Sequence, residues 1–445
     1  MLGAALVMAF YVFVRARLLH GDAAVYAQQI ESRDFGERTL HLLYFLVGWV
    51  IVQASKPLGL APDTALIVFS GVMMTVALWL SWHLYRALGE DERTSGWALF
   101  ILLFAGVMVQ QATEAEVYAP QLVLSLSAYL MYVRGRPVWA GIFLGLATLT
   151  TPLGVLIVGF FVAEAIRTRQ VKPFLVMGVV GAVVFLGVLA LVWRDYFYGT
   201  RGLLVDTRVV QTTAKGIDNA VAIVRNFHFM LPFLAAGLII TWRSRPLWIG
   251  LLVSLLVFHI LAILTVTENG VFLLPIYPVF ALIIARGVVA GLTRARALTA
   301  LALALYVATS LLIWLQPYDQ KIRDGMLEGI RRVPPGSVVI TSWSYAMTLD
   351  YYAGPPRDTL TASRQLLWPE QHAKIVEALH GSRPVYLMES HEDTRAVRWL
   401  YPPDMQRRHY EQNALLPRLE RTLGVKATPY FTARGAPAFY RLSLP

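Results

Sequence analysis

Cysteine is absent from the 445 residues of this chain. Disulfide frameworks and thiolate chemistry are therefore excluded, and the redox compartment cannot be read from the sequence. Charge is scarce as well: Asp, Glu, Lys and Arg make up 15% of residues, while hydrophobic residues make up 57%. A soluble domain carries about 25% charged residues, so that class is excluded. Apolar windows recur as far as about Leu315 and give an α-helical polytopic membrane protein. No internal repeat and no low-complexity tract interrupts the pattern.

The net charge of +11 does not imply nucleic acid, because the Lys and Arg residues sit in short clusters between apolar windows. Such clusters encode topology. Residues 1–14 lack a basic leader and a small-residue cleavage site, so they read as a retained first span. Clear windows follow at 64–84, 96–109, 120–133, 173–193, 227–242, 246–266, 271–290 and 297–315. Two further stretches have two readings each. Residues 39–55 either cross or lie in the interface. Residues 138–165 are either one span or a pair broken at Thr150-Thr151-Pro152, where proline removes a helix donor.

Short basic loops stay in the cytoplasm. The connectors Arg86/Arg93, Arg134/Arg136, Arg167/Arg169/Lys172, Arg243/Arg245 and Arg286/Arg294/Arg296 all fall on one side if 39–55 is interfacial and 138–165 is a pair. This arrangement has about eleven spans, with a first outer loop over 20–63. It sets a catalytic or binding module at 1–315 before an extracytoplasmic tail at 316–445. Asp22, Glu114, Glu116 and Glu268 then share the outer face, as expected of a site built between helices of a bundle.

The tail reads as a small α/β domain. SVVIT at 337–341 and PVYLM at 384–388 are buried-strand patterns, and Pro369–His380 has helical spacing with Ile375, Val376 and Leu379 on one side. Residues 425–443 form a closing hairpin around Arg434-Gly435. The tail has no phosphate-binding glycine loop, no metal-ligand spacing and no Ser-His-Asp set.

Asp22 stands in the polar segment HGDAAVY at 20–26, directly after the first apolar stretch. One outward carboxylate at a membrane surface suits a definite chemistry. A sugar carried on a long lipid phosphate presents its anomeric carbon there, and an attacking hydroxyl must lose a proton to a base. The leaving group is already a phosphate, so a second carboxyl acting as acid, as in glycoside hydrolysis, is not required. Glu114 and Glu116, spaced i, i+2 in ATEAEVY at 112–118, do not share a helix face. One can serve the site while the other supports a helix N-terminus, and Glu116, preceding Val117-Tyr118, is the inward choice. Arg201, Arg208, Lys215, Arg225 and His228 make the long 194–226 loop and its border unusually basic for an outer segment, which marks them as candidate phosphate ligands, Arg225 and His228 foremost, against the alternative of a solvated or headgroup-facing loop. His41 on the apolar 39–55 helix is a weaker candidate.

These segments together resemble the GT-C superfamily of membrane glycosyltransferases, and within it the bacterial protein O-mannosyltransferase-like proteins. The resemblance rests on Gly21-Asp22 followed by Tyr26, TLHLLY at 39–44, EVYA at 116–119, GIFLGLATLTTP at 141–152, FLLPIYP at 272–278, and the tail fragments GSVVIT at 336–341 and RPVY at 383–386. Leu42 and Leu43 stand where prolines follow the histidine in that family, and the first loop has no adjacent acidic pair. The resemblance implies an inverting mannosyl-type transfer from a polyprenyl-phosphate sugar to a protein, glycan or lipid acceptor, with Asp22 as base. Tyr26, His41, Tyr118 and Glu268 would join the substrate contacts. Family members differ in their use of a divalent metal, and the single first-loop acid favours none here. A bacterial inner membrane location follows from the same resemblance. A secondary transporter, with the acids as ion sites, and a non-catalytic lipid-binding scaffold are the alternatives.

Overall fold

The computed structural model describes residues 2–14, 22–33, 41–191, 223–224, 226–242, 249–257, 271–314, 318–341, 346, 348–349, 351–352, 358–361, 369–389, 415–432 and 438–444. The chain divides into two compact units, Met1–Arg15 with Gln29–Trp314, and Ala16–Gln28 with Leu315–Pro445.

The first unit is helical. In chain order its helices are α1 (Leu2–Val14), α2 (Asp22–Ser32, which crosses the division), α3 (Leu42–Ser55), α4 (Pro62–Ala87), α5 (Glu92–Phe104), α6 (Gly106–Thr113), α7 (Tyr118–Val133), α8 (Pro137–Thr150), α9 (Val158–Thr168), α10 (Val171–Leu191), α11 (Leu231–Thr241), α12 (Tyr277–Arg294) and α13 (Arg296–Trp314). Among the described residues three helices are long and apolar enough to cross a membrane, and α5 with α6 makes a fourth if the bent pair is one span.

Local chemistry sets the ends of these helices. Pro62 and Pro137 begin α4 and α8, where a missing N–H costs nothing. Asp91 caps α5 by accepting from the Thr94 N–H at 2.7 Å, and that bond holds its carboxyl below the usual carboxylate range. The apolar window at 96–109 is not one straight helix: α5 and α6 meet at a 61° bend around Ala105.

Residues 138–165 form a pair. α8 stops at Thr150, Pro152–Ile157 is a 3-10 turn, and α9 leads back. Tyr132 near the end of α7 meets the Phe161 ring of α9 at 5.1 Å. Helix α10 then runs parallel to α8, with Gly141 against Met177 and Val180, and Gly145 against Gly181 and Val184. Met177, Gly181 and Leu189 form the buried edge of α10, while Leu175, Val179, Val183 and Leu186 are exposed.

Helix α12 is buried without interruption from Tyr277 to Ala285, as befits a central helix. Helix α11 approaches it so closely that a Cβ on Gly237 would collide with the Ile283 carbonyl, and one on Gly287 with the Phe233 carbonyl. Arg286 of α12 pairs with Glu90 and donates to the Thr241 hydroxyl at 3.0 Å. The pair places the Arg86/Arg93 connector and the Arg286 connector at one end of this unit.

The second unit contains α14 (Tyr318–Arg332), β1 (Val338–Thr341), β2 (Asp358–Thr361), α15 (Pro369–His380), β3 (Val385–Glu389), α16 (Leu415–Leu423), β4 (Lys426–Thr432) and β5 (Ala438–Ser443). The sheet order is β2-β1-β3-β5-β4, with β1 parallel to β2 and β3, and β5 antiparallel to β3 and β4. Alternation along the strands feeds two cores. Val339, Tyr386, Met388 and Phe439 pack with Met326, Ile330 and Val333 at the α14 side. Val338, Ile340, Val385, Leu387 and Leu442 pack with Ile375 of α15 and Leu415 and Leu419 of α16. Buried Glu389 ends β3 and caps α16, accepting from the Leu415 and Leu416 N–H groups at 3.1 and 2.8 Å.

Candidate functional site

Non-helical connections gather at the end of the helical unit opposite Glu90 and Arg286. Two of them touch: the Pro152–Ile157 turn packs on the Val271–Ile276 turn, and both pack on α7. His41, at the N-cap of α3, places Nδ1 2.9 Å from the Thr150 carbonyl, so α3 begins where α8 breaks. A carbonyl only accepts, which fixes the His41 tautomer as Nδ1–H. Thr150 and Thr151 are buried at this break. Interior Gly48 of α3 lies under the Ile30 side chain, where a Cβ would stand 2.7 Å from Cδ1, and this contact seats the C-terminal half of α2 on α3.

The acidic turn between α6 and α7 belongs to the same end. Glu116 is buried and Glu114 is half-buried, with Glu114 accepting from the Gln110 side chain at 3.4 Å. Glu114 does not open a helix, as its sequence position suggested. It is the C-cap of α6, and Val117 is the N-cap of α7. Helix dipoles therefore give Glu114 no N-terminal role. Burial, and then the charge of Glu116, raise the Tyr44 phenol above its ordinary range, which places Tyr44 of α3 within electrostatic reach of that carboxylate. Gln111 and Gln121 bracket the turn, both buried, and their amide oxygens have no hydrogen-bond partner among the described residues. Tyr118 is buried at the first position of α7.

The bend between α5 and α6 is held by side chains from far along the chain. Tyr306 and Ser310 of α13 donate to the Ile101 and Phe104 carbonyls, each at 2.9 Å. The Val107 N–H at the start of α6 donates to Asn226 Oδ1 at 2.6 Å, and Asn226 Nδ2 donates to the Tyr277 hydroxyl at 3.2 Å. Two residues further on, the His228 ring lies 5.0 Å from the Tyr306 ring, and neither of its nitrogens has a hydrogen-bond partner among the described residues.

The structure thus brings Glu114, Glu116, Tyr118 and His41 to one end of the helical unit, and places His228 beside the bend that leads there. Asp22 is the first residue of α2, and its side chain lies outside what the structure describes. Tyr26 is buried on the same helix. Arg201, Arg208, Lys215, Arg225 and Glu268 lie outside the described residues. Among the described residues no group of three or more His, Asp or Glu could hold a metal ion. Sequence reasoning missed Tyr44, Asn226, Tyr277 and Tyr306. A buried tyrosine in an apolar window gives no signal by itself, but an asparagine between Arg225 and His228 could have been asked for a partner.

The fold, a helical unit whose helices break at one end and a mixed-sheet unit, has counterparts among solved structures. It is shared with ArnT from Cupriavidus metallidurans bound to undecaprenyl phosphate, at 13% identity and a TM-score of 0.57 over 99% of this chain and 96% of that one. The oligosaccharyltransferase of Archaeoglobus fulgidus matches at 13% identity and a TM-score of 0.54, over 86% of this chain and 67% of its own. The same archaeal enzyme, AglB, in complex with an inhibitory peptide and a dolichol-phosphate, gives 14% identity and a TM-score of 0.52. No family model matches the sequence, and no curated protein matches it.

Proposed function

We propose that this protein is a membrane glycosyltransferase that moves a sugar from a polyprenyl-phosphate donor to an acceptor hydroxyl. The observation that carries this reading is the fold, shared over 99% of the chain with a protein solved with undecaprenyl phosphate bound. The broken helices are compatible with it, because non-helical backbone at membrane depth is tolerated where it is buried in protein or lines a water-filled cavity.

In this reading the acceptor oxygen attacks the anomeric carbon as its proton passes to the Asp22 carboxylate. The bond from carbon to the phosphate oxygen breaks, and the lipid phosphate leaves with the electron pair. Attack opposite the leaving group inverts the anomeric centre. Glu116, buried beside the end of α6, orients the acceptor or the base, and the amide oxygens of Gln111 and Gln121 are suited to accept from sugar hydroxyls. His228, with Arg225 and Arg201 of the basic loop, supplies donors for the phosphate. His41, Tyr26, Tyr118, Glu114 and Glu268 complete the substrate contacts, and no divalent metal takes part. The active site and the tail face the outer side of a bacterial inner membrane, and the acceptor is a protein, glycan or lipid.

The test is transfer of labelled sugar from a polyprenyl-phosphate donor by the reconstituted chain and by Asp22→Asn. A positioned base contributes a factor of about 10² to 10⁴, so the variant should lose that much turnover. Near-normal turnover would remove Asp22 as base.

A further inference from the structure

We propose that Asn226 is a positioning residue for this transfer: its side chain locks the start of α6 and so fixes where α6 delivers Glu116. The inference rests on the glycosyltransferase reading above. The 61° bend separates α6 from the hydrogen-bond ladder of α5 and leaves the first N–H groups of α6 without partners in the preceding turn. Ala105 takes the Met108 and Val109 N–H groups at 3.0 and 3.2 Å. The Val107 N–H goes to the Asn226 side chain at 2.6 Å.

Asn226 is 7% exposed, and its amide is held in turn by the fully buried hydroxyl of Tyr277. One planar group therefore ties α6 to the start of α12, and the eight residues of α6 lead without a break to Glu114 and the turn that carries Glu116. The Asn226 main chain is anchored separately, because the Tyr306 hydroxyl donates to its carbonyl at 3.2 Å. This separation gives a specific signature. Removing the side chain frees α6 while the backbone at 226–228, with His228, stays held by Tyr306. Misplacement of about 1 Å at reacting groups can cost about 100-fold in rate.

The experiment compares Asn226→Ala, Asn226→Asp and the unaltered chain, reconstituted with a polyprenyl-phosphate sugar donor. It reads transfer kinetics and amide hydrogen exchange across residues 92–113. Asn226→Ala should speed exchange in 106–113 but not in 92–104, and lower kcat about tenfold or more while the donor KM changes less than about threefold. Asn226→Asp keeps an acceptor for the Val107 N–H and should restore most of both.

Faster α6 exchange with unchanged kcat would overturn the proposal, as would unchanged exchange in the Ala variant. A parallel loss in Ala and Asp with exchange raised throughout 92–113 would mean a general loss of fold, and would overturn it too. If the unaltered chain moves no sugar from any lipid-phosphate donor, the glycosyltransferase reading fails first and takes the proposal with it. That outcome is distinct because it is seen before any variant is made.

Discussion

At the scale of single residues, the polar groups that matter are those the apolar surroundings make costly to leave unsatisfied. Glu389 shows the structural form of this rule. Its buried carboxylate takes the Leu415 and Leu416 N–H groups, which would otherwise be orphaned at the start of α16. Glu389→Ala should cost about 1–3 kcal/mol, and hydrogen exchange confined to 415–423 would report it. Uniform exchange across the sheet as well would show that Glu389 holds more than this cap. Glu116 is the contrasting acid: it is buried at a turn, with a tyrosine feeling its charge and, at Gln111 and Gln121 on either side, amide oxygens without a partner among the described residues. Glu116 was legible in the sequence, because a carboxylate beside an apolar run draws attention. Tyr44 and Asn226 were not, because their roles depend on partners 72 and 119 positions away, as the Tyr44 to Glu116 pair and the Asn226 to Val107 bond show.

At the scale of elements, one helix break was readable and another was not, for a physical reason. Pro152 lacks the N–H that would continue α8, so the break is written locally. The bend at Ala105 contains no proline; it persists because Tyr306, Ser310 and Asn226 satisfy the groups it exposes. The tail strands at 338–341 and 385–389 were readable because a strand buried on both faces is a short continuous apolar run. Helix α11 depends on close approach: Gly237→Leu would drive a side chain into the Ile283 carbonyl. This variant should fail to accumulate as a monodisperse protein in detergent, read by size exclusion. Gly178→Leu on α10, where nothing lies within 4 Å of the added Cβ, should behave as the unaltered chain. Normal behaviour of Gly237→Leu would show that α11 and α12 can part.

At the scale of the molecule, charge clustering and backbone geometry meet in one arrangement. The parallel run of α8 and α10, with α9 between them, requires residues 138–165 to go out and back. That reading came from counting Arg and Lys in connectors. On the proposed function, a lipid phosphate should bind the folded chain and stabilise it. At a hundredfold excess over Kd, undecaprenyl phosphate should add about 2.7 kcal/mol, seen as a raised Tm in detergent. Equal stabilisation by a lipid with no phosphate would argue for a general lipid effect.

Helix α10 carries a last consequence. Its 21 residues span about 31 Å at 1.5 Å per residue, close to a hydrocarbon thickness of about 30 Å. Only the edge through Met177, Gly181 and Leu189 is buried, so acyl chains are its neighbours on the other sides. Its tilt is therefore set as much by bilayer thickness as by the protein, at a cost of fractions of a kcal/mol per Å of mismatch. In a thin bilayer α10 should therefore lean over α8 before any buried helix moves, and a spin label on α10 would read that tilt.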